Sequence, residues 1–206
     1  MRYTDPTGLY KFGDCSWTAE QCISQEQRFR ESIAKAQEAL KGLDPKSNEA
    51  KALRNTLKKL GNEDEGNIKI NFGDAGKKDG QPNLGRTVGN SITINYNAVD
   101  SLKSGFNLNQ SESEALDAGL TMHEGAHAGG GPGILGFLGM HGEHAALFNE
   151  SVTYQGLHNT DRTLNLWNES WLTVDKDKLS IERDREHFIQ QAIHPPKQEQ
   201  KPDNPQ

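Results

Sequence analysis

The chain has 206 residues, of which 33% are hydrophobic, and a formal net charge of −6. That is enough for one domain with a core of its own. An acidic chain without a basic stripe argues against a nucleic-acid surface, and no run is long and apolar enough to span a bilayer. Residues 1–20 lack the basic-then-apolar layout of a signal peptide.

Taken in order, Arg2-Tyr3-Thr4-Asp5-Pro6-Thr7-Gly8-Leu9-Tyr10 reads as a turn punctuated by Pro6 and Gly8. Cys15 and Cys22 stand seven apart. A disulfide between them is possible but would close only a short loop, so free thiols are the default expectation. Ile23, Phe29, Ile33, Ala36 and Leu40 fall on one face of a helix predicted over 18–42, which Gly42 stops. A second helix is predicted from Asp44-Pro45 through Leu60, with Leu53, Leu57 and Leu60 as its stripe and Gly61-Asn62 as its end. Asn67-Ile68-Lys69-Ile70-Asn71-Phe72 and Ser91-Ile92-Thr93-Ile94-Asn95-Tyr96 alternate with period two, the pattern of strands. These elements predict an α+β fold, mainly helical, with a small antiparallel pair or a three-stranded sheet.

The chemistry concentrates in Thr121-Met122-His123-Glu124-Gly125-Ala126-His127. On a helix, positions i and i+4 share a face, so His123 and His127 present two imidazoles to one point. Glu124, rotated by about 100° from His123, reaches a water there without taking the metal itself. Two nitrogen ligands and a neighbouring carboxylate base are the donor set of a zinc hydrolase. A capping box at Ser111 and Glu114 predicts a helix start near 112, and Leu116 and Leu120 run in register into the two histidines. Gly129-Gly130-Gly131-Pro132-Gly133 ends that helix. A second helix, over 140–157, is predicted to return antiparallel and bring a third ligand. His141, Glu143, His144 and Glu150 all qualify by residue type. Glu143 is preferred, because it lies early in the returning helix and precedes Ala145-Ala146, which allow close approach. Glu150 lies deeper and suits a supporting or substrate-side role. Tyr154, His141 and His144 are candidates for a second electrophile facing a developing oxyanion. Beyond 158, Leu164, Leu166, Trp167 and Trp171 read as a cap on the core, and 175–193 as a charged helix. The Pro- and Gln-rich end reads as a disordered tail.

Asp5-Pro6-Thr7-Gly8-Leu9 resembles the segment that closes the core shell of RHS-repeat proteins, where the shell encloses a C-terminal toxin and is cut after that leucine. His123-Glu124-Gly125-x-His127, followed by Glu143-His144-x-Ala146 and Gln155-Gly156-Leu157, resembles the gluzincin-like zinc metallopeptidase toxin domains carried by such proteins. The resemblance implies a remnant of the shell over 1–14, a toxin domain over 15–193 and a tail over 194–206. It implies a zincin-like fold with an antiparallel sheet beside the motif helix, its edge strand available to an extended substrate. It also implies Zn2+ held by His123, His127 and Glu143, with Glu124 as the base. The implied partners are the shell of the parent polypeptide, a cognate immunity protein and a protein substrate, with no nucleic acid and no membrane. The implied place of action is the cytoplasm of a target cell after delivery by a secretion system. A glycine-rich loop over 129–138 and Leu147, where an aromatic is common, depart from the family pattern and bear on the substrate pocket. Two other readings fit the same ligands: a metal-dependent amidase acting on the cell wall or on side chains, and a non-catalytic toxin stabilised by zinc.

Overall fold

The computed structural model describes residues 10–61, 67–78, 80–128 and 142–157. The leader over 1–9, the glycine loop, His141 and the segments beyond 157 lie outside the described residues. Lys11–Cys15 forms strand β1, and Tyr10 before it is buried. Residues 10–14, expected to belong to the leader, therefore supply an edge of the sheet and part of the core. Thr18 then caps helix α1, Ala19–Lys41. Its hydroxyl accepts the Gln21 N–H at 3.3 Å, and the Gln21 side-chain oxygen accepts the Thr18 N–H at 3.1 Å.

This corner corrects the expectation of free thiols. Chain reversal at Thr18 lays the first turn of α1 against the end of β1, and Cys15 and Cys22 form a disulfide with Cα atoms 5.9 Å apart. That spacing is within reach of a bridge. The predicted apolar face of α1 is buried from Phe29 through Ala39, but Ile23 is exposed. Helix α2, Asn48–Gly61, begins later than expected. Asp44 instead closes a turn, its carboxylate accepting the Lys46 N–H at 3.0 Å, and Ser47 caps the helix by accepting the Ala50 N–H at 3.0 Å.

Strands β2 (Lys69–Phe72), β3 (Lys77–Lys78), β4 (Gln81–Pro82), β5 (Gly85–Val88) and β6 (Ser91–Ile94) follow. The main sheet has the order β1-β2-β6-β5. The antiparallel pairing expected for the two alternating segments is not what forms. β2 and β6 pair in parallel, as do β1 and β2, and only β5 runs antiparallel, to β6. The reason is the connection. The chain leaves β2 through the β3–β4 hairpin and comes back as β5, so the tight turn into β6 reverses β5 rather than β2. Ile70, Phe72, Ile92 and Ile94 point into the core, where Tyr10, Phe12, Phe29 and Phe72 meet edge to face or tilted, at 4.9–6.4 Å between ring centroids.

β6 stops two residues short of the predicted end because Asn95 caps helix α3, Tyr96–Gly105, by accepting the Ala98 N–H at 3.1 Å. Helix α4, Gln110–His127, starts at an Asn109/Glu112 capping box rather than at Ser111/Glu114. Glu114 pairs instead with Lys35 at 3.1 Å. From Ala115 to Ala126 every residue of α4 is buried, with α1, α2 and helix α5 (Glu143–Gly156) around it and β5 at its C-terminal end. Asp117 of α4 is held bidentately by Arg28 of α1 at 2.7 and 2.9 Å and by Lys103 of α3 at 2.7 Å. Arg28 also lies 4.0 Å from the centre of the Tyr96 ring. This compensated buried cluster fixes the rotation of α4 about its axis, and with it the direction in which the C-terminal residues point.

Candidate metal centre

His123 and His127 end the central helix on one face, with ring centroids 5.0 Å apart. The apolar stripe that buries α4 carries them to the core side, so His123 is buried and His127 half-buried. Helix α5 returns antiparallel: its first residue, Glu143, meets the histidines, Glu150 meets His123, and Tyr154 packs on Gly119. A side chain at Gly119 would overlap the Tyr154 ring, so the glycine sets how closely the two helices lie.

The Glu143 carboxylate bridges both rings. Its Oε1 lies 3.6 Å from His123 Nε2 and its Oε2 3.3 Å from His127 Nε2. One donor atom from each of the three residues falls within 4.8 Å of the other two, so the group can hold a metal ion. The spacing suits a small tetrahedral cation, since donors at about 2.0–2.1 Å from such an ion stand about 3.3 Å from each other. The chemistry of the set agrees: two imidazoles and one carboxylate, with Glu143 half-exposed at the mouth, leave one side open.

Glu150 is buried and faces the other nitrogen of the first ring. His123 Nδ1 lies 3.0 Å from Glu150 Oε2, and the Tyr154 hydroxyl donates to Glu150 Oε1 at 2.9 Å. With Nδ1–H given to Glu150, Nε2 is the atom presented to Glu143 and to a metal. Burial alone would depress the His123 ring. The Glu150 hydrogen bond and the charges of Glu150, Glu143 and Glu124 outweigh it and raise the ring to about 9.

Of the expected site residues, the structure brings His123, His127 and Glu143 together, and it buries Glu124 on the flank of α4 that faces β5. Glu150 lies on the Nδ1 side of His123, away from the Nε2 that faces Glu143. Tyr154 is corrected as an electrophile for an oxyanion: it is fully buried and its hydroxyl is committed to Glu150. His141 and the side chain of His144 lie outside the described residues. One contact was missed from sequence. Thr87 of β5 donates its hydroxyl to Glu124 Oε2 at 2.6 Å. A lone threonine in a short strand carries no motif, and only the packing of β5 on α4 reveals it. In comparisons with protein-family models, with curated proteins and with solved structures, nothing matches this chain.

Proposed function

We propose that this chain is a zinc-dependent metallopeptidase, the toxin domain of an RHS-type effector, acting on a protein inside a target cell and neutralised at home by an immunity protein. The observation that carries the enzymatic part is the convergence of His123, His127 and Glu143 beside a buried carboxylate one residue along the helix. The effector part rests on the likeness of Asp5-Pro6-Thr7-Gly8-Leu9 to the closing segment of RHS shells. No helix among the described residues is long and apolar enough to cross a membrane.

His123, His127 and Glu143 would hold the ion, whose contribution when bound is Lewis acidity toward a water and a carbonyl oxygen. Glu124 accepts a proton from the attacking water and returns it to the leaving nitrogen. Glu150 holds His123 in one tautomer through Nδ1, and Tyr154 holds Glu150. Burial of Glu124 and His123 keeps solvent from competing for that proton.

The decisive experiment compares the wild-type chain with Glu124→Gln, expressed in the cytoplasm of a susceptible cell. The variant should bind zinc as the wild type does and lose toxicity by a factor of about a hundred or more, the usual share of a general base. A proteome-wide survey of new N-termini then separates peptide-bond cleavage from amidase chemistry. Full toxicity in the zinc-loaded variant would rule out Glu124 as a base and favour toxicity by binding alone.

A further inference from the structure

Glu124 does not hang free beside the histidines; strand β5 builds a seat for it. Thr87 donates to Glu124 Oε2 at 2.6 Å. The same hydroxyl lies 3.1 Å from the Glu124 carbonyl oxygen; the carboxylate oxygen is closer and charged, so the single hydroxyl proton goes to the carboxylate. Two positions earlier on the same face of the strand stands Gly85. A Cβ built there would lie 2.5 Å from Glu124 Oε1 and 2.8 Å from its Cγ and Cδ. The Gly85 backbone is not in the left-handed region, so its conformation does not call for glycine. Space for the carboxylate does.

From this geometry we infer that Thr87 is a positioning residue for the base: Thr87 fixes Oε2, and Gly85 clears the space for Oε1. Among the described residues no donor is bonded to Oε1. A carboxylate on a flexible three-torsion side chain has many rotamers, and one hydrogen bond with one steric slot selects a single one. Among the described residues β5 has β6 as its one neighbour in the sheet, so the base is set by an edge strand and not by the helix that carries it. The inference rests on the metal-site reading above, and its test needs no knowledge of the substrate.

Acetohydroxamic acid is the probe. Its O–H bond breaks on binding, the proton goes to the base carboxylate, and the resulting anion is held at the metal. Its affinity therefore reports how the Glu124 carboxylate is held. The full chain is loaded with Co2+ and titrated with acetohydroxamate, following the visible absorption of the ion, for wild type, Thr87→Val, Thr87→Ser, Gly85→Ala and Glu124→Gln. Expected are unchanged Co2+ affinity in all five, loss of acetohydroxamate affinity by about tenfold or more in Thr87→Val, as for one hydrogen bond to a carboxylate, and recovery to within about twofold in Thr87→Ser, which keeps the hydroxyl. Gly85→Ala should weaken the probe as well, and Glu124→Gln sets the full loss. Equal acetohydroxamate affinity in wild type and Thr87→Val, or a Thr87→Ser variant as weak as Thr87→Val, overturns the inference while leaving the metal site standing. A wild-type chain that binds no Co2+ overturns the metal reading and this inference with it.

Discussion

At the scale of single residues, Glu150 sets the orientation of His123 in the candidate metal site. It is the one carboxylate near the histidines that is both buried and bonded to Nδ1, so it orients His123 without occupying the ligand face. Replacing it with Gln keeps the shape but removes the charge. Zinc affinity, read by competition with a chelating dye, should fall about 10–100-fold in Glu150→Gln, the range found for supporting groups of this kind. Tyr154→Phe, which loses one link further out, should fall less. An unchanged zinc affinity in Glu150→Gln would show that His123 needs no such support.

The same carboxylate controls a pH dependence of the metal-free protein. His123 is raised to about 9 in the fold, against roughly 6.5 unfolded. A raised value means the folded state holds the proton more tightly, so the stabilisation is fully present below about pH 6.5 and is lost as pH climbs through 9. Urea midpoints of the metal-free chain should therefore drop between pH 6 and pH 9.5, and the drop should shrink in Glu150→Gln. A flat profile in the wild type would mean that the fold holds the His123 proton no more tightly than the unfolded chain does.

At the scale of elements, the corner between β1 and α1 carries the clearest surprise. The sequence spacing of the cysteines argues for free thiols, and spacing was the wrong guide. What counts is that a strand, a capped turn and the first turn of a helix fold back on themselves within eight residues, bringing Cys15 against Cys22. Closing so short a loop still constrains the unfolded chain, by roughly 2 kcal/mol. Reduction with a phosphine, or a Cys15→Ser/Cys22→Ser pair, should lower unfolding stability by about that amount in chemical denaturation. Free thiols titrating in the native, unreduced protein would refute the bridge outright.

The sheet teaches a related lesson. Period-two alternation marks Lys69–Phe72 and Ser91–Ile94 as strands but says nothing of direction. Direction came from the intervening 18 residues, which spend a hairpin and a third strand before β6 begins. That detour also places β5, with Gly85 and Thr87, against the motif helix. Helix α3 is hidden in the sequence because Tyr96 continues the alternation of β6, and only the Asn95 cap shows where the period changes. Helix α4 is the opposite case: motif, stripe and length all agree, and only the capping residue moved, from Ser111 to Asn109.

At the scale of the molecule, a metal held between α4 and α5 would tie together the two helices that frame the site, and Glu143 is the link. Because the three donors converge only in the folded chain, an ion that binds there stabilises the fold by mass action. Zinc at 100 times its dissociation constant should add about 2.7 kcal/mol and raise the melting temperature by roughly 5–10 °C. A chelator should reverse the gain, and His127→Ala should abolish it. Melting curves indifferent to zinc in the wild type would remove the metal from the account.

What the amino-acid order alone determined is local. His123, Glu124 and His127 fall on one helix because four residues make about one turn, and Glu143 stands early in the next helix, where a returning helix meets that turn. The helices α1, α2, α4 and α5 were legible because amphipathic periodicity and end signals are short-range and redundant. What only the tertiary structure decided is every relation between segments far apart in the chain. These are the parallel run of β2 and β6, the bridge at Cys15, the placing of Glu150 and Tyr154 behind His123, and the seat that Gly85 and Thr87 make for Glu124. The physical reason is that a period records which face of an element is buried, whereas the partner on that face is chosen by packing, which the period does not encode.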